Sequence, residues 1–279
     1  MKKVESLQGL NLHEDILEML QPIFWRIKRG RYRELFIEEN EHLVTGVGVS
    51  WSNLMHPTAK YIDVSSIDEG DLLLQSLLKE VKPFNKVVSS CYESNIGSIQ
   101  LLEKYGFRLF RKTYEVSYSI ADIVNILSNL DGEIDTTPLV EIQKDKLLTE
   151  QLFRLLKKSY EETHLHNEAS DFSWQEWRDM LYDDNPHLHF SKVVVQKGQV
   201  GGYIFIHPIS KTECEIGWVG KSIEFPLVYV LKQQLLELQA AGYTMVGFEI
   251  DTTDHVAYEF AEFLQLEQQK SWNSYRRKF

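Results

Sequence analysis

The stretch 95–107 places the tightest constraint on the fold. It follows an apolar, strand-like run at 86–92 and reads Asn95, Ile96, Gly97, Ser98, Ile99, Gln100, Leu101, Leu102, Glu103, Lys104, Tyr105, Gly106, Phe107. Ile99, Leu101, Leu102 and Tyr105 recur at helical spacing and make one apolar face. Asn95 or Ser94 can accept a hydrogen bond from an orphaned amide at the helix start, and Gly106 permits the left-handed turn that ends it. A strand feeding a short amphipathic helix buries that face against a sheet, so an α/β chain is predicted.

The order of elements occurs twice. In the first half a helical pattern at about 12–28 precedes strands at 34–38, 43–51 and 60–64, a leucine-rich helix at 71–81, a break at Pro83, a strand at 87–92, the Asn95 helix and a strand at 109–118. In the second half helices at 146–164 and 174–182 precede strands at 192–196, 202–207 and 213–219. A helix opened by Pro226 and closed by Gly242 follows, then a strand at 245–250, a helix at 254–266 and a strand at 271–277. The expected organisation is a domain at 1–120, a connection at 121–137 and a second domain at 138–279. The connecting region, 119–138, has four acids and no Lys or Arg, and its helix-like run at 120–130 predicts an ordered bridge.

Composition removes several classes of function. With 279 residues, 43% of them hydrophobic, the chain can bury two cores. No apolar run approaches the roughly 20 residues that span a bilayer, and residues 1–5 include Lys2, Lys3 and Glu5, so no membrane partner and a cytoplasmic location are expected. Cys91 and Cys214 have no metal or redox spacing and are predicted to be buried, reduced thiols. The net charge of −11 is uneven: 1–120 carries 15 Lys+Arg against 16 Asp+Glu, leaving 15 against 25 for 121–279. No basic stripe runs along the chain beyond short clusters at 26–33 and 276–278, which argues against a nucleic-acid partner and suits a cationic one. The pairs His164/His166 and His187/His189 lack accompanying ligands, and no metal site is predicted.

The stretch 95–107 resembles the acetyl-CoA-binding end of the GNAT superfamily of N-acetyltransferases. The family signature Asn-x-x-Ala-x-x-Leu-Tyr-Glu-Lys-x-Gly-Phe is matched by Asn95, Ser98 in the small position, Leu101, Glu103, Lys104, Gly106 and Phe107, with Leu102 where the tyrosine stands. In the second half Asp254, Ala257, Phe260, Ala261, Glu262, Phe263, Gln265 and Leu266 fall in the same order, with Ala261 in the tyrosine position. Tyr105 and Tyr258 lie a turn away and read as packing residues. The duplicated order of elements is also the GNAT order. The resemblance therefore implies two tandem GNAT-like domains, each a mixed, mostly antiparallel sheet flanked by helices.

What the resemblance implies about the site follows residue by residue. The coenzyme's pyrophosphate is held in this family at the start of the crossover helix by a loop of pattern Arg/Gln-x-x-Gly-x-Gly/Ala, and neither copy keeps that pattern. The first copy offers acids there, Asp68, Glu69 and Asp71. The second offers Trp218, Val219, Gly220, Lys221 and Ser222, with Glu224 nearby, and is the expected coenzyme loop. Asn95 and Asp254, at the starts of the signature helices, complete the expected coenzyme contacts. Glu213, Glu215, Glu249, Asp251 and His207 are base candidates on strands; Glu215 is the single choice, because bases in this family often stand on the strand before the crossover helix, and Glu249 is kept beside it. Solvated carboxylates on a half-exposed strand are the bland alternative. The implied activity is transfer of an acetyl group from acetyl-CoA, as co-substrate, to the amine of a small cationic molecule, with a homodimer left open. The alternative is an inactive GNAT-fold protein that binds or regulates. Aminoacyl transfer from tRNA, known for tandem domains of this fold, calls for a basic surface that an acidic chain does not offer.

Overall fold

The computed structural model describes residues 1–279 apart from 82, 83, 133, 223–225 and 267–269. The expected break at Pro83 and the acid Glu224 lie outside the described residues. The chain divides into two compact units, and they do not follow the boundaries 1–120 and 138–279. The first is Met1–Lys112 with His166–Ser170 and Trp272–Phe279; the second is Thr113–Leu165 with Asp171–Ser271.

The first unit is built from β1 (Lys2–Lys3), α1 (Glu14–Met19), α2 (Gln21–Lys28), β2 (Glu34–Asn40), β3 (Leu43–Ser52), β4 (Ala59–Ser66), α3 (Asp71–Glu80), β5 (Lys86–Tyr92), α4 (Ile96–Lys104) and the start of β6 (Arg108–Ser119). The second continues β6 with α5 (Ile120–Ile126), β7 (Thr136–Pro138), α6 (Leu139–Ile142), α7 (Lys146–Thr163), α8 (Trp174–Asp183), β8 (Lys192–Gln196), β9 (Gln199–Pro208), β10 (Glu213–Lys221), α9 (Val228–Ala240), β11 (Met245–Asp251) and α10 (His255–Phe263). The last strand, β12 (Ser271–Lys278), returns to the first unit.

Each unit has a six-stranded mixed sheet. In the first the order is β1-β2-β3-β4-β5-β12, antiparallel except for the parallel β4–β5 pair. In the second it is β7-β8-β9-β10-β11-β6, antiparallel except for β10–β11. The two orders are the same pattern, as the repeated sequence layout leads one to expect. The strand expected to close the second domain instead pairs with β5, from Trp272↔Tyr92 to Lys278↔Lys86. The second sheet is closed by β6, whose Thr113–Ser119 portion pairs with β11. Periodicity marks both as strands but is silent on which neighbour each takes.

Helices cover both faces of the first sheet. Ile16 of α1, Leu20 at the junction, and Ile23 and Ile27 of α2 pack on Leu35, Ile37, Val44, Val47 and Val49, while Leu73, Leu74, Leu77 and Leu78 of α3 pack with Ile62, Val87 and Tyr275. This explains why β3 is buried almost throughout instead of alternating. One expected helix at 12–28 is two, parted at Leu20, because Pro22 has no amide to continue the first ladder and is tolerated in the opening turn of the second. In the second unit Ile120, Ile123 and Leu127 of the connecting region join Leu231, Leu235 and Leu238 of α9 and Phe260 of α10 in one core. The expected ordered bridge is therefore a structural part of that unit.

Local signals at α4 act as the sequence implies. Asn95 Oδ1 accepts from the Ser98 amide at 3.1 Å, Gly106 has φ +79°, and the Phe107 amide donates back to the Leu102 carbonyl at 3.0 Å. Replacing Asn95 by Ala is expected to lower stability by about 1 kcal/mol, read as a shifted urea midpoint at unchanged slope.

The short segment His166–Ser170 is held in the first unit by polar contacts. The Ser170 amide donates to the Met55 carbonyl at 2.8 Å, Asn167 Nδ2 donates to the Tyr61 hydroxyl at 2.6 Å, and Glu168 pairs with the buried Lys86. Among the described residues, no helix is long and apolar enough to cross a membrane. Cys91 and Cys214 are free and buried, and burial pushes each thiol up to about 12, matching the sequence expectation.

Candidate functional site

Both units open their sheet at the parallel pair. In the first, β4 and β5 pair only at Ala59↔Lys86, Lys60↔Val87 and Tyr61↔Val88. Past that point a cavity of about 750 Å³ lies between them, walled by Asp63, Val64 and Ser65 of β4, Ser89, Ser90 and Cys91 of β5, Leu101 of α4 and Trp272 of β12. Asn95 also lines it, at the cap of α4.

Asp63 is half-buried in this wall and accepts from the Ser65 hydroxyl at 3.0 Å. Burial pushes its carboxyl up to about 6, against the lowering effect of that hydroxyl. A carboxyl whose pKa is higher folded than unfolded adds stability below the unfolded value and loses it as pH rises through the folded one. Asp63→Asn is thus expected to stabilise the protein by about 2–3 kcal/mol at pH 7.5 and by little at about pH 3.5, below the unfolded value, measured as the difference in thermal midpoint at the two pH values.

A second cavity, of about 630 Å³, shares Asn95, Ser98 and Leu101 with the first and reaches the start of α3. Its wall carries Asp68, Glu69 and Asp71 against one cation, Lys104, which is 2.7 Å from Asp71. Lys104, with the Tyr105 hydroxyl donating at 2.7 Å, holds the Asp71 carboxyl below its ordinary range. Tyr105 therefore ties α4 to α3 as well as packing. The positive end of the α3 dipole is met by the helix's own acid, and an incoming diphosphate would face two more.

In the second unit β10 pairs with β11 from Glu213↔Met245 to Ile216↔Phe248 and no further. On its other side β10 slips register against β9 between Ile216 and Trp218, leaving Gly217 as a bulge. A Cβ at Gly217 would lie 2.5 Å from Nδ1 of His207, so only glycine admits that ring. The β11-facing edge of β10 beyond the bulge thus lacks β11 as a partner.

Polar and aromatic groups converge beside the bulge. Glu215 stands opposite His207 on β9 and Gly247 on β11, and Glu249 stands opposite Glu115 on β6. Asp184, at the end of α8, has its carboxylate 3.3 Å from His207 Nε2 and accepts from Trp218 Nε1 at 3.3 Å. Tyr160 of α7 packs 5.7 Å from Trp218 and 3.8 Å from the His164 ring; Trp177 of α8 meets Trp218 edge-on at 6.2 Å. Burial, then the charges of Asp184 and Glu115, raise the Glu215 carboxyl. Burial lowers His207 in spite of Asp184. The arrangement offers carboxylates beside aromatic faces, which suits an organic cation, with a raised carboxyl as proton acceptor.

The remaining expected site residues have local roles. Gly220 lies against Tyr203, whose ring is 2.6 Å from where a Cβ would be. Lys221 Nζ donates to Glu259 at 2.9 Å, and the Ser222 hydroxyl to the Val200 carbonyl at 3.3 Å. Val219 is partly buried against the core. Asp254 caps α10, accepting from Val256 and Ala257 at 2.9 and 3.0 Å, as Asn95 caps α4. Asn95 is in one unit; the other expected site residues are in the second. Sequence reasoning missed Asp184, Tyr160 and Trp177. The two rings read as helix-face packing residues, and only the tertiary fold shows that they face Trp218.

No family model and no curated sequence matches the chain. Solved structures do. A GCN5-related N-acetyltransferase from Sphaerobacter thermophilus aligns with TM-score 0.57 at 12% identity over 89% of this chain and 81% of its own. A tandem GNAT protein from the clavulanic acid biosynthesis pathway aligns with TM-score 0.54 at 10% identity, covering 88% and 82%. The GCN5-related glucosamine N-acetyltransferase region of a fungal multi-domain GH3 beta-N-acetylglucosaminidase aligns with TM-score 0.59 at 11% identity over 99% of this chain and 37% of that one. At these identities the likeness is one of architecture: the chain has the fold of the GCN5-related N-acetyltransferases.

Proposed function

We propose that this chain is an acyl-CoA-dependent N-acetyltransferase that acetylates the amine of a small cationic molecule, with transfer at the bulge of β10. The observation that carries this reading is the coincidence of three things at one point: the end of β10–β11 pairing, the Gly217 bulge, and Glu215 with its raised carboxyl. Acetyl-CoA supplies an acyl thioester when bound. The unpaired edge of β10 at Trp218 and Val219 fits the amides of an extended pantetheine arm. The phosphate end is less well provided for, since Lys221 is engaged with Glu259. Trp218 and Tyr160 flank the amine, and Asp184 draws its positive charge. Glu215 takes one proton from the ammonium to free the nitrogen's lone pair; the nitrogen then bonds to the acyl carbon, the carbon–sulfur bond breaks, and the second N–H proton passes through water to the departing thiolate, because Ala261 holds the tyrosine position in this unit.

The reading is tested by calorimetry with acetyl-CoA, followed by thiol release against a panel of polyamines, aminoglycosides and amino acids. Amine-dependent thiol release supports it. Binding without release, or no binding, favours the inactive GNAT-fold protein, for which the acids at the start of α3 and the Lys221–Glu259 pair speak.

A further inference from the structure

We propose that the first unit docks on an anionic lipid bilayer through the end of its sheet that carries the basic clusters 26–33 and 276–278, with Trp25 and Leu54 at the depth of the headgroups. The two clusters are far apart in sequence, and strand pairing brings them together. Glu34 at the start of β2 meets Ser50 near the end of β3, and Ser52 meets Lys60 at the start of β4. Ala59 meets Lys86 at the start of β5, and Lys86 meets Lys278 at the end of β12. Arg33, Lys60, Lys86 and Lys278 therefore share the end where β4 and β5 are still paired, whereas both cavities lie past the point where that pairing stops. None of the residues assigned to coenzyme or acyl transfer is at this end, so the inference stands apart from that reading.

The end is strongly cationic. Segment 28–33 carries four Lys and Arg and 276–279 carries three, and neither of them, nor the 53–58 loop between β3 and β4, has an Asp or Glu. Lys28, Arg29, Arg31, Arg33 and Lys278 are exposed, and none of them makes an ion pair among the described residues. The acids that reach this end are engaged: Glu34 pairs with Lys3, Glu168 pairs with Lys86, and Glu80 ends α3 next to Lys79. Elsewhere cation meets cation. Burial and then Arg31 lower the pKa of Arg26, burial and then Arg33 lower that of Lys60, and burial, then Arg276 and Lys278, lower that of Lys86. Lys60 is only 4% exposed, and its ammonium donates to the Ser52 hydroxyl at 3.1 Å. An anionic surface relieves such a field.

Apolar side chains among the charges favour a bilayer over a nucleic acid. Leu54, in the β3–β4 loop, is 83% exposed, and Trp25 is 45% exposed with the Arg26 and Arg31 guanidinium groups 4.7 and 6.0 Å from its ring. Trp beside Arg or Lys suits the membrane interface, and an exposed leucine gains nothing from a phosphate backbone. The expectation of no membrane partner rested on the lack of a spanning run, which does not bear on surface contact. The net charge of −11 averages over the chain, whereas at about 0.1 M salt a surface responds to charges within about 10 Å.

The test is sedimentation of the full chain with vesicles of phosphatidylcholine alone or with phosphatidylserine added to about 30%, at about 0.1 M and about 0.5 M salt. The serine-lipid vesicles are expected to bind at least about tenfold more tightly than the neutral ones, and to lose most of that gain at the higher salt. Each Lys or Arg near such a surface is worth about fivefold in affinity, so Arg29→Ser with Arg31→Ser is expected to weaken binding about 25-fold. Lys278→Glu, also a change of two charges, weakens it about as much, which tests the convergence of the two clusters. Leu54→Asn weakens it about threefold or more at unchanged charge. Lys211→Glu, at an exposed residue of the second unit, leaves it unchanged. All these side chains are exposed, and every variant is expected to melt with the parent. Equal binding to the two kinds of vesicle, no binding to either, or a loss in Lys211→Glu equal to that in Lys278→Glu would each overturn the proposal. Tighter binding of a short oligouridine, weakened by the same arginine substitutions, would assign the surface to a nucleic acid and overturn it as well. Thiol release bears only on the acyl-transfer reading, so the two can fail separately.

Discussion

Ending the chain after residue 270 is expected to unfold the first unit, some 160 residues away in sequence from that unit's other strands, while the second unit keeps its fold. The truncation removes a strand with seven register pairs to β5 and takes Tyr275, 3% exposed, out of the core beneath α3. Loss of a buried aromatic side chain costs about 3–5 kcal/mol, and each ladder hydrogen bond adds about 1 kcal/mol. The sum is comparable with the whole stability of a domain, about 5–15 kcal/mol. It also leaves β5 as a bare edge and removes the ring that Tyr92 meets at 4.7 Å, so aggregation accompanies the loss. Hydrogen exchange is the decisive readout: amides of β2 to β5 lose protection and those of β8 to β11 retain it. Retained protection in β3 and β4 would mean that the first unit stands without β12.

Glu215→Gln is expected to lower the rate constant of acyl transfer by about 100-fold or more while leaving acetyl-CoA affinity within about twofold, since the amide keeps the shape and removes the base. The pH profile sharpens this. Only the deprotonated carboxylate accepts a proton, so kcat/KM rises with pH through the Glu215 pKa, which burial and the charges of Asp184 and Glu115 place above the ordinary glutamate range. The variant loses that rise. A variant as active as the parent would remove Glu215 from the mechanism and turn attention to His207, the neighbouring group that burial keeps neutral at pH 7.

The architecture was largely legible because it rests on local codes. Asn95, Gly106, Pro226 and Gly242 mark helix ends through hydrogen bonding and φ preferences that belong to one residue each, and leucines in α3 mark its inner face. The strand partners of β6 and β12 were not legible, since a strand's alternation says which face is buried and nothing about the strand alongside. Short β1 and β7 escaped notice because Lys2, Lys3 and the Thr136–Pro138 strand carry no apolar pattern. At the candidate site, Glu215, Glu249 and His207 are strand positions that the sequence singles out, whereas Asp184 is not, because a helix-ending aspartate reads as a solvated charge until the fold sets it beside His207 and Trp218. The loop expected to hold phosphate shows the opposite case. Gly220, Lys221 and Ser222 looked available as a string, and each has an intramolecular partner or close neighbour in the folded unit.

The placement of β12 has a bearing on how this protein is made. Ribosomes deliver the N-terminus first, and domains ordinarily fold in that order as they emerge. Here β1 to β5 emerge early yet lack their sixth strand until residue 278 has been translated. The second unit holds all six of its strands by residue 251, so it can finish before the first. In the nascent chain the β5 edge therefore stays without β12 until the last strand of the sequence has been made.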